Sequence, residues 1–176
     1  MKLVLIRHTS VNVPKGICYG QTDVPLAASF PDEAAAVKQR LAGYRFDKVY
    51  CSPLSRCVRL AEFCGYPGAI RDERLKEIHF GAWEMRAYAE IDEKQLRAWC
   101  DDYLCAAPPG GESVMDQRRR FLQFVDELRK EADTMTVGLF THGGILINAL
   151  SAFGGESFER LYAAVPPYGS VIETDI

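Results

Sequence analysis

The chain has 176 residues, which is enough for a real hydrophobic core, and we expect residues 1–176 to form a single domain. Its composition, with 48% hydrophobic and 26% charged residues, is typical of a soluble globular protein. A net charge of −3 gives no reason to expect nucleic acid or an anionic membrane as a partner. No apolar stretch approaches the roughly 20 residues that a membrane-spanning helix requires.

The six cysteines indicate a reducing environment. None is spaced as CxxC, and Cys100 and Cys105 have no nearby histidine to complete a zinc site, so we expect no metal. Met1 and Lys2 lead directly into a short apolar strand rather than the longer apolar region of a secretory signal. We therefore expect free thiols and a cytoplasmic protein.

The first predicted element is an apolar run that ends in two polar residues. Residues 3–6 are continuous apolar side chains, a pattern typical of a central strand that is covered on both faces. Arg7 and His8 follow at once. Ligands of open α/β sheets bind outside the carboxyl ends of the strands, so this pair lies where a site is expected.

A long loop and a helix follow this strand. The loop over residues 10–28 is long for a compact domain, and such loops are usually functional, so we expect residues 19–23 to border the ligand site. Apolar residues at helical spacing predict a helix that opens at Pro31, with Ser29 as its cap and Gly43 as its stop.

The next segment repeats the order of strand, turn and helix. Residues 46–51 contain a second short apolar run, and residues 69–71 are a candidate short strand. Between them, Ser52 is suited to cap a helix and Pro53 to occupy its first position, with helical spacing through residue 64. The backbone amides of this turn could therefore face an anion.

The middle of the chain is less regular. Residues 74–83 are too irregular for a helix, whereas residues 88–104 carry a helical pattern. Ser113 is predicted to cap a long amphipathic helix, on which arginines 118–120 lie mostly on the solvent side.

The last segment repeats the pattern at the start of the chain, an apolar strand followed by a histidine. Residues 136–141 form an apolar strand pattern that ends in His142, and residues 145–153 continue as a helix. Residues 171–174 are a candidate last strand. Alternating strands and helices predict a three-layer α/β/α sandwich on a mostly parallel central sheet.

Three strand-to-turn junctions therefore bring polar residues to one rim of the sheet. They carry Arg7 and His8, then Arg56, and then His142. Guanidinium groups bind phosphate oxygens bidentately, so this cluster predicts a phosphate site. The chain lacks both GxxxxGK[ST] and GxGxxG, which argues against a nucleotide-binding loop.

These motifs give the sequence a resemblance that covers nearly the whole chain. LIRH, YGQTDVPL, SPLSR, LKEIHFGAWE, PPGGES and THGG resemble, in order and approximate spacing, the histidine phosphatase superfamily, also called phosphoglycerate mutase-like. GQTDVPL, EIHFGAWE and PPGGES are most similar to its α-ribazole-5′-phosphate phosphatases, which act in cobalamin nucleotide-loop assembly. The resemblance implies hydrolysis of a small-molecule phosphomonoester without a cofactor.

Carried over by position, the resemblance implies a role for each polar residue. His8 becomes the nucleophile that forms a phosphohistidine, while Arg7, Arg56 and His142 hold the phosphoryl oxygens. Glu77 becomes the proton donor to the departing alcohol and then the base for water. A neutral imidazole can attack phosphorus in line, and fixed cations stabilise the remaining charge without a metal. Further expected contacts to substrate or phosphate are Gly143, Asn12, Gln21 and Thr22.

The sequence departs from the family pattern just after the nucleophile. Thr9 replaces the glycine of R-H-G, which is tolerable if the backbone there does not need a positive φ. Pro14 stands at the position of a family asparagine, and Asn12 lies nearby but out of register. Met85 replaces the glycine of W-E-G, which predicts a differently shaped lip over the substrate.

Several alternatives stay open at this point. Glu73, Glu84 and Glu112 compete with Glu77 for the role of proton donor, and His79 is either structural or a substrate contact. The function could instead be that of a phosphoglycerate mutase, although family mutases are generally longer. A phosphate-recognition module without turnover is the third hypothesis, and a homodimer is an assembly that the sequence leaves open.

Overall fold

A five-stranded, mostly parallel sheet forms the centre of the protein. The computed structural model describes residues 1–131 and 134–176. The strands are β1 (Lys2–Arg7), β2 (Lys48–Cys51), β3 (Ile70–Arg71), β4 (Thr136–Thr141) and β5 (Val171–Asp175). Their order in the sheet is β3-β2-β4-β1-β5, and β5 alone among them is antiparallel to its neighbour.

Helices cover both faces of the sheet. They are α1 (Phe30–Leu41), α2 (Ser55–Cys64), α3 (Glu93–Asp101), α4 (Val114–Leu128), α5 (Gly143–Phe153) and α6 (Phe158–Ala163). Buried side chains of α1 and α2 pack on one face of the sheet, and those of α4 and α5 pack on the other. This arrangement confirms the predicted three-layer α/β/α sandwich.

Strand β1 supplies side chains to both core layers. Leu3 and Leu5 pack against α4 and α5, whereas Val4 and Ile6 point to the opposite face and pack against α1 and α2. All four side chains are fully buried, and each such burial stabilises the fold by about 1.5–3 kcal/mol. The continuous apolar run is therefore explained by a central strand that has no solvent face.

The start of α2 differs from the prediction. The helix begins at Ser55 with Leu54 as its N-cap, so the expected roles of Ser52 and Pro53 as cap and first helical residue are wrong. The Ser52 hydroxyl instead shares a hydrogen bond of 2.7 Å with the buried His142 ring. This hydroxyl therefore serves the histidine rather than the helix.

Other boundaries follow the sequence more closely. Ser113 caps α4 through a reciprocal capping box with Asp116, as the sequence predicts. The helix expected over residues 88–104 is shorter, since α3 covers Glu93–Asp101 and is capped by Asp92. The sequence did not predict α6. None of the helices described here is long and apolar enough to cross a bilayer.

Met85 adopts a backbone conformation that normally favours glycine. Its φ is +61°, and 46% of its surface is exposed. A left-handed conformation costs a residue with a Cβ about 1–2 kcal/mol. The position thus keeps the backbone expected of the family glycine while it carries a long side chain.

Replacement Met85→Gly is expected to raise the free energy of unfolding by about 0.5–1 kcal/mol, because relief of this strain exceeds the entropy cost of glycine. Urea denaturation measures the change. Met85→Ala is the matched control, since it removes the side chain but keeps the strained Cβ. An equal gain in both variants would show that strain is not the cause.

Candidate active site

A cavity of about 390 Å³ opens at the carboxyl ends of β1 and β4. The predicted site residues that line it are Arg7, His8, Arg56, Glu77 and Gly143. Apolar and aromatic side chains form much of its remaining wall, among them Ile17, Tyr19, Phe80, Tyr88, Phe158, Tyr162 and Val165. The cavity therefore combines a cationic end with an aromatic end.

His8 is held as a neutral imidazole with one nitrogen free. Its Nδ1 lies 2.8 Å from the Thr9 carbonyl oxygen, which can only accept, so Nδ1 carries the proton and Nε2 keeps its lone pair. Burial first, and then the nearby charges of Arg56 and Arg7, lower the pKa of His8 to about 3 against the opposing effect of the Thr9 hydrogen bond. At neutral pH this side chain is therefore neutral rather than cationic.

Arg56 and Arg7 are fixed by main-chain carbonyls. The Arg56 guanidinium is fully buried and donates to the carbonyls of Thr22, at 3.0 Å, and Gly20. Arg7 donates to the Pro166 carbonyl, so neither guanidinium is free to swing away. The Nε of each arginine is buried without a partner in the described parts of the chain. Unsatisfied buried donors are costly, and anion oxygens would satisfy them.

Two tyrosines stand over this cationic end. The Tyr168 ring lies 4.2 Å from the Arg7 guanidinium carbon and 5.4 Å from the His8 ring centre. Its hydroxyl shares a hydrogen bond of 2.7 Å with Tyr19, whose own ring faces Arg56 at 5.7 Å. Cation–π contacts of this kind hold a guanidinium in place without using its hydrogen-bond donors.

His142 lies beside His8 and is fully buried. The two imidazole ring centres are 5.2 Å apart. Burial lowers the pKa of His142 well below its usual value, and the charge of Arg56 adds to this effect. Its Nε2 pairs with the Ser52 hydroxyl and lies 3.4 Å from the Cys57 sulfur. His142 is not among the cavity-lining residues, so its predicted contact to phosphate stays a prediction.

Among the four candidate carboxylates, Glu77 alone lines the cavity. Its Oε1 accepts hydrogen bonds from Gln117 at 2.8 Å and from the Ile78 amide at 2.9 Å, and its Oε2 accepts from the Gly144 amide at 3.2 Å. Glu73 pairs with a lysine at the surface, and Glu112 pairs with an arginine. The arrangement therefore favours Glu77 as the proton donor.

Glu84 organises the loop between β1 and α1. Its carboxylate accepts from the backbone amides of Gly20, Gln21, Thr22 and Phe80 and from the Thr22 hydroxyl. Burial raises the pKa of Glu84, but these hydrogen bonds, with that of the Thr22 hydroxyl foremost, outweigh burial and lower it overall. A carboxylate with so many donors is suited to hold structure rather than to transfer protons.

The side chains of Gln21 and Thr22 are hydrogen-bonded to other residues of the protein. The Gln21 side chain donates to the Glu77 carbonyl at 3.0 Å, and the Thr22 hydroxyl donates to Glu84. Neither residue is among those that line the cavity. Both residues support the site through their contacts with Glu77 and Glu84, and their predicted contact to substrate stays a prediction.

Two further candidates lie away from the cavity. The Asn12 side chain is exposed, and its backbone amide donates to the Pro25 carbonyl. His79 lies 3.1 Å from the Gly110 carbonyl through its Nδ1. Neither residue is among those that line the cavity.

Sequence reasoning missed two buried polar residues of α4. Arg120, expected on the solvent side, is largely buried, pairs with Glu112 and donates to the carbonyls of residues 74, 76 and 77. Gln117 is buried and bonds to Glu77. Both stand at helical spacing from Phe121 and Phe124 on the buried face, and this spacing was the available signal.

Comparison with known proteins agrees with this geometry. A family model described as the histidine phosphatase superfamily (branch 1) matches residues 3–176. The chain belongs to the histidine phosphatase superfamily. This membership accounts for a strand end that carries arginine and histidine beside a second buried histidine.

Relatives in the superfamily include both phosphatases and mutases. Adenosylcobalamin/alpha-ribazole phosphatase of Escherichia coli K12 is 30% identical, over 92% of this chain and 83% of the relative. A 2,3-bisphosphoglycerate-dependent phosphoglycerate mutase of Brucella ovis is 34% identical, over 90% of this chain and 84% of the relative. The structure of a mycobacterial glucosyl-3-phosphoglycerate phosphatase has a TM-score of 0.82 at 28% identity and covers 98% of this chain and 88% of that protein.

The departures from the superfamily pattern have local explanations. Thr9 is fully buried, and its φ is not positive, so the missing glycine of R-H-G does not strain the backbone. Pro14 lies exposed in the loop after β1. The side chain of Met85 is exposed, so the altered W-E-G motif changes the surface rather than the carboxylate that precedes it.

We expect His8 to remain neutral, with its proton on Nδ1, at pH 6, because its pKa is lowered to about 3. Nitrogen chemical shifts of ¹⁵N-labelled protein, assigned with a His8→Ala variant, measure both properties. A doubly protonated ring at pH 6, or a proton on Nε2, would contradict this assignment.

Replacement Glu84→Gln is expected to destabilise the protein by more than about 1 kcal/mol at neutral pH, since several donors lose a charged acceptor. Because the folded-state pKa is lowered, this stabilisation is present above the usual carboxyl range and is lost as the pH falls through the folded pKa. Denaturant unfolding at several pH values measures the gap. The exposed Glu90→Gln is the control, and a gap that grows in acid would contradict the assignment.

Proposed function

We propose that the protein hydrolyses a phosphomonoester through a phosphohistidine on His8, and that its substrate is α-ribazole 5′-phosphate. The observation that carries the proposal is a neutral His8, whose Nε2 keeps its lone pair, beside the buried guanidinium of Arg56 and the partly buried guanidinium of Arg7, both held by main-chain carbonyls. Such a site offers a nucleophile and stabilises the charge on three phosphoryl oxygens at the same place.

The reaction uses groups of this chain in two steps. In the first, Nε2 of His8 attacks phosphorus, the bond from phosphorus to the ester oxygen breaks, and Glu77 gives its proton to the departing alkoxide. In the second, Glu77 takes a proton from water, which attacks the phosphohistidine and releases phosphate and a free His8. Arg7 and Arg56 hold the phosphoryl oxygens throughout.

The lining of the cavity supports a leaving alcohol that carries a large aromatic group. Tyr88, Phe80, Phe158 and Tyr162 line the cavity with the cationic residues. Aromatic side chains favour flat aromatic ligands through offset stacking and apolar burial. α-Ribazole is a nucleoside with a benzimidazole base, so such walls suit it, and a phosphatase named for this compound is among the relatives.

The same wall argues against the mutase hypothesis. Phosphoglycerate carries a carboxylate as well as a phosphate, and burial of an unpaired carboxylate is costly. Among the described lining residues, the lysine and arginine side chains are Arg7 and Arg56, which are assigned to the phosphoryl group.

The hypothesis of a phosphate-recognition module without turnover rested on the missing glycine of R-H-G. The φ of Thr9 is not positive, so the threonine gives no reason to prefer that hypothesis.

We expect kcat/KM for α-ribazole 5′-phosphate to exceed that for 3-phosphoglycerate by at least about tenfold, because an apolar wall discriminates by burial. Phosphate release in the absence of 2,3-bisphosphoglycerate measures both rates. Interconversion of 2- and 3-phosphoglycerate by the protein would establish the mutase hypothesis instead.

The controls of this assay address the chemistry. His8→Ala is expected to lower kcat by more than about 10³-fold, because the nucleophile is lost. EDTA is expected to leave the rate unchanged, since the arginines neutralise the phosphoryl charge. Equal rates for wild type and His8→Ala would refute the phosphohistidine route, and a rate that depends on added Mg²⁺ would refute the metal-free route.

A further inference from the structure

A closed ring of hydrogen bonds holds the Glu77 carboxyl group. The Gly144 amide donates to Glu77 Oε2 at 3.2 Å, and Gln117 Nε2 donates to Oε1 at 2.8 Å. Asn148 Nδ2 donates to Gln117 Oε1 at 3.2 Å and to the Gly144 carbonyl at 3.0 Å, which closes the ring. Gln117 and Asn148 are both buried, and Glu77, Gln117 and Gly144 lie along the wall of the cavity.

The ring leaves no choice of orientation for either amide side chain. The Gly144 carbonyl can only accept, so the Asn148 atom facing it must be the NH₂ group. The same NH₂ group faces Gln117, whose oxygen must therefore point to Asn148. The Gln117 NH₂ group is then directed at Glu77, so this contact is a donation to the carboxyl group.

The two oxygens of Glu77 are consequently unequal. Oε1 accepts two hydrogen bonds, from Gln117 and from the Ile78 amide, which together occupy its two lone pairs. Oε2 accepts one, from Gly144, and keeps one lone pair. The proton of the neutral acid can be bound at Oε2 without the loss of any of these hydrogen bonds.

Glycine at position 144 is part of this arrangement. A Cβ at that position would overlap Glu77 Oε1 and the Gln117 amide. The first turn of α5 can therefore approach the carboxyl group closely enough for its backbone amide to donate to it. Helix N-termini stabilise negative charge, which favours the carboxylate that forms when the proton is given up.

We propose that Gln117 is a positioning residue, which saturates Glu77 Oε1 and thereby keeps the transferable proton on Oε2. This inference rests on the proposed role of Glu77 as proton donor. Without the amide, Oε1 has a free lone pair, so the proton is distributed over both oxygens and the carboxyl group loses a restraint. Small misplacements of a catalytic group cost up to about 10²-fold in rate.

The test compares two phosphomonoesters that differ in their need for a proton. A simple alkyl phosphate requires protonation of its leaving alkoxide, whereas p-nitrophenyl phosphate releases a stable phenolate. We use kcat/KM, because it covers only the steps up to departure of the alcohol. Gln117→Met, which matches the side-chain length but has no amide, is expected to lower kcat/KM for the alkyl ester by about 10–100-fold. The loss for p-nitrophenyl phosphate is expected to be several-fold smaller.

Matched variants separate positioning from a structural or substrate-binding role. Gln123→Met makes the same change on the exposed face of α4 and is expected to leave kcat/KM for both esters at the wild-type value. Asn148→Ala opens the ring at another bond and is expected to produce a weaker loss with the same preference for the alkyl ester. Equal losses for both esters in Gln117→Met would overturn the inference, because lost folding or a lost contact to the shared phosphoryl group does not depend on the leaving group.

Substitution of Glu77 itself distinguishes the proposed role of Gln117 from the proposed role of Glu77. If Glu77→Gln lowers kcat/KM chiefly for the alkyl ester, the acid is assigned correctly, and adding Gln117→Met to Glu77→Gln should then cause no further loss. An additive loss in the double variant would overturn the role of Gln117 alone. A Glu77→Gln variant with no leaving-group preference would overturn the proton-donor assignment on which the inference rests.

Discussion

The buried guanidinium of Arg56 is the constraint on which the rest of the site depends. An arginine does not lose its proton in a protein, so burial of this cation has to be compensated by its surroundings. The carbonyls of Gly20 and Thr22 supply acceptors. Burial lowers the pKa of His8 and of His142, and the charge of Arg56 lowers both further, so the two rings beside this cation are neutral. A His8 ring that is neutral at neutral pH thus results from burial together with a neighbouring cation.

That constraint also explains why the loop between β1 and α1 is ordered. Its carbonyls face Arg56, and its amides therefore face the other way, toward the carboxylate of Glu84. The loop is held between a positive and a negative group, each partly removed from water. The Gln21 side chain donates to the main-chain carbonyl of Glu77. The same loop therefore supports both Arg56 and Glu77. Rigid support of this kind is what positioned catalytic groups require.

The sequence predicts those features that depend on local pattern. Branched apolar runs identify β1 and β4, and their position in a parallel sheet brings Arg7 and His8 to one rim. The residues it misplaces depend on contacts between distant segments. Arg120 looks like a solvent-facing arginine until the carbonyls of residues 74–77 lie beside it. Ser52 has a hydroxyl that could cap a helix, yet this hydroxyl shares a hydrogen bond with His142, which follows β4. Gln117 has no motif at all, because its partner lies 40 residues away along the chain.

The contact between Arg7 and the segment before β5 has a consequence for the order of assembly during synthesis. Arg7 donates to Pro166 across 159 positions and packs against Tyr168, whereas the strand that carries Arg7 is made first. Its guanidinium therefore stays solvated on the ribosome until nearly the whole domain has been translated. The Arg7 guanidinium can be fixed only after the segment that carries Pro166 and Tyr168 has been made. A segment 159 positions later in the chain thus fixes a side chain at the end of β1.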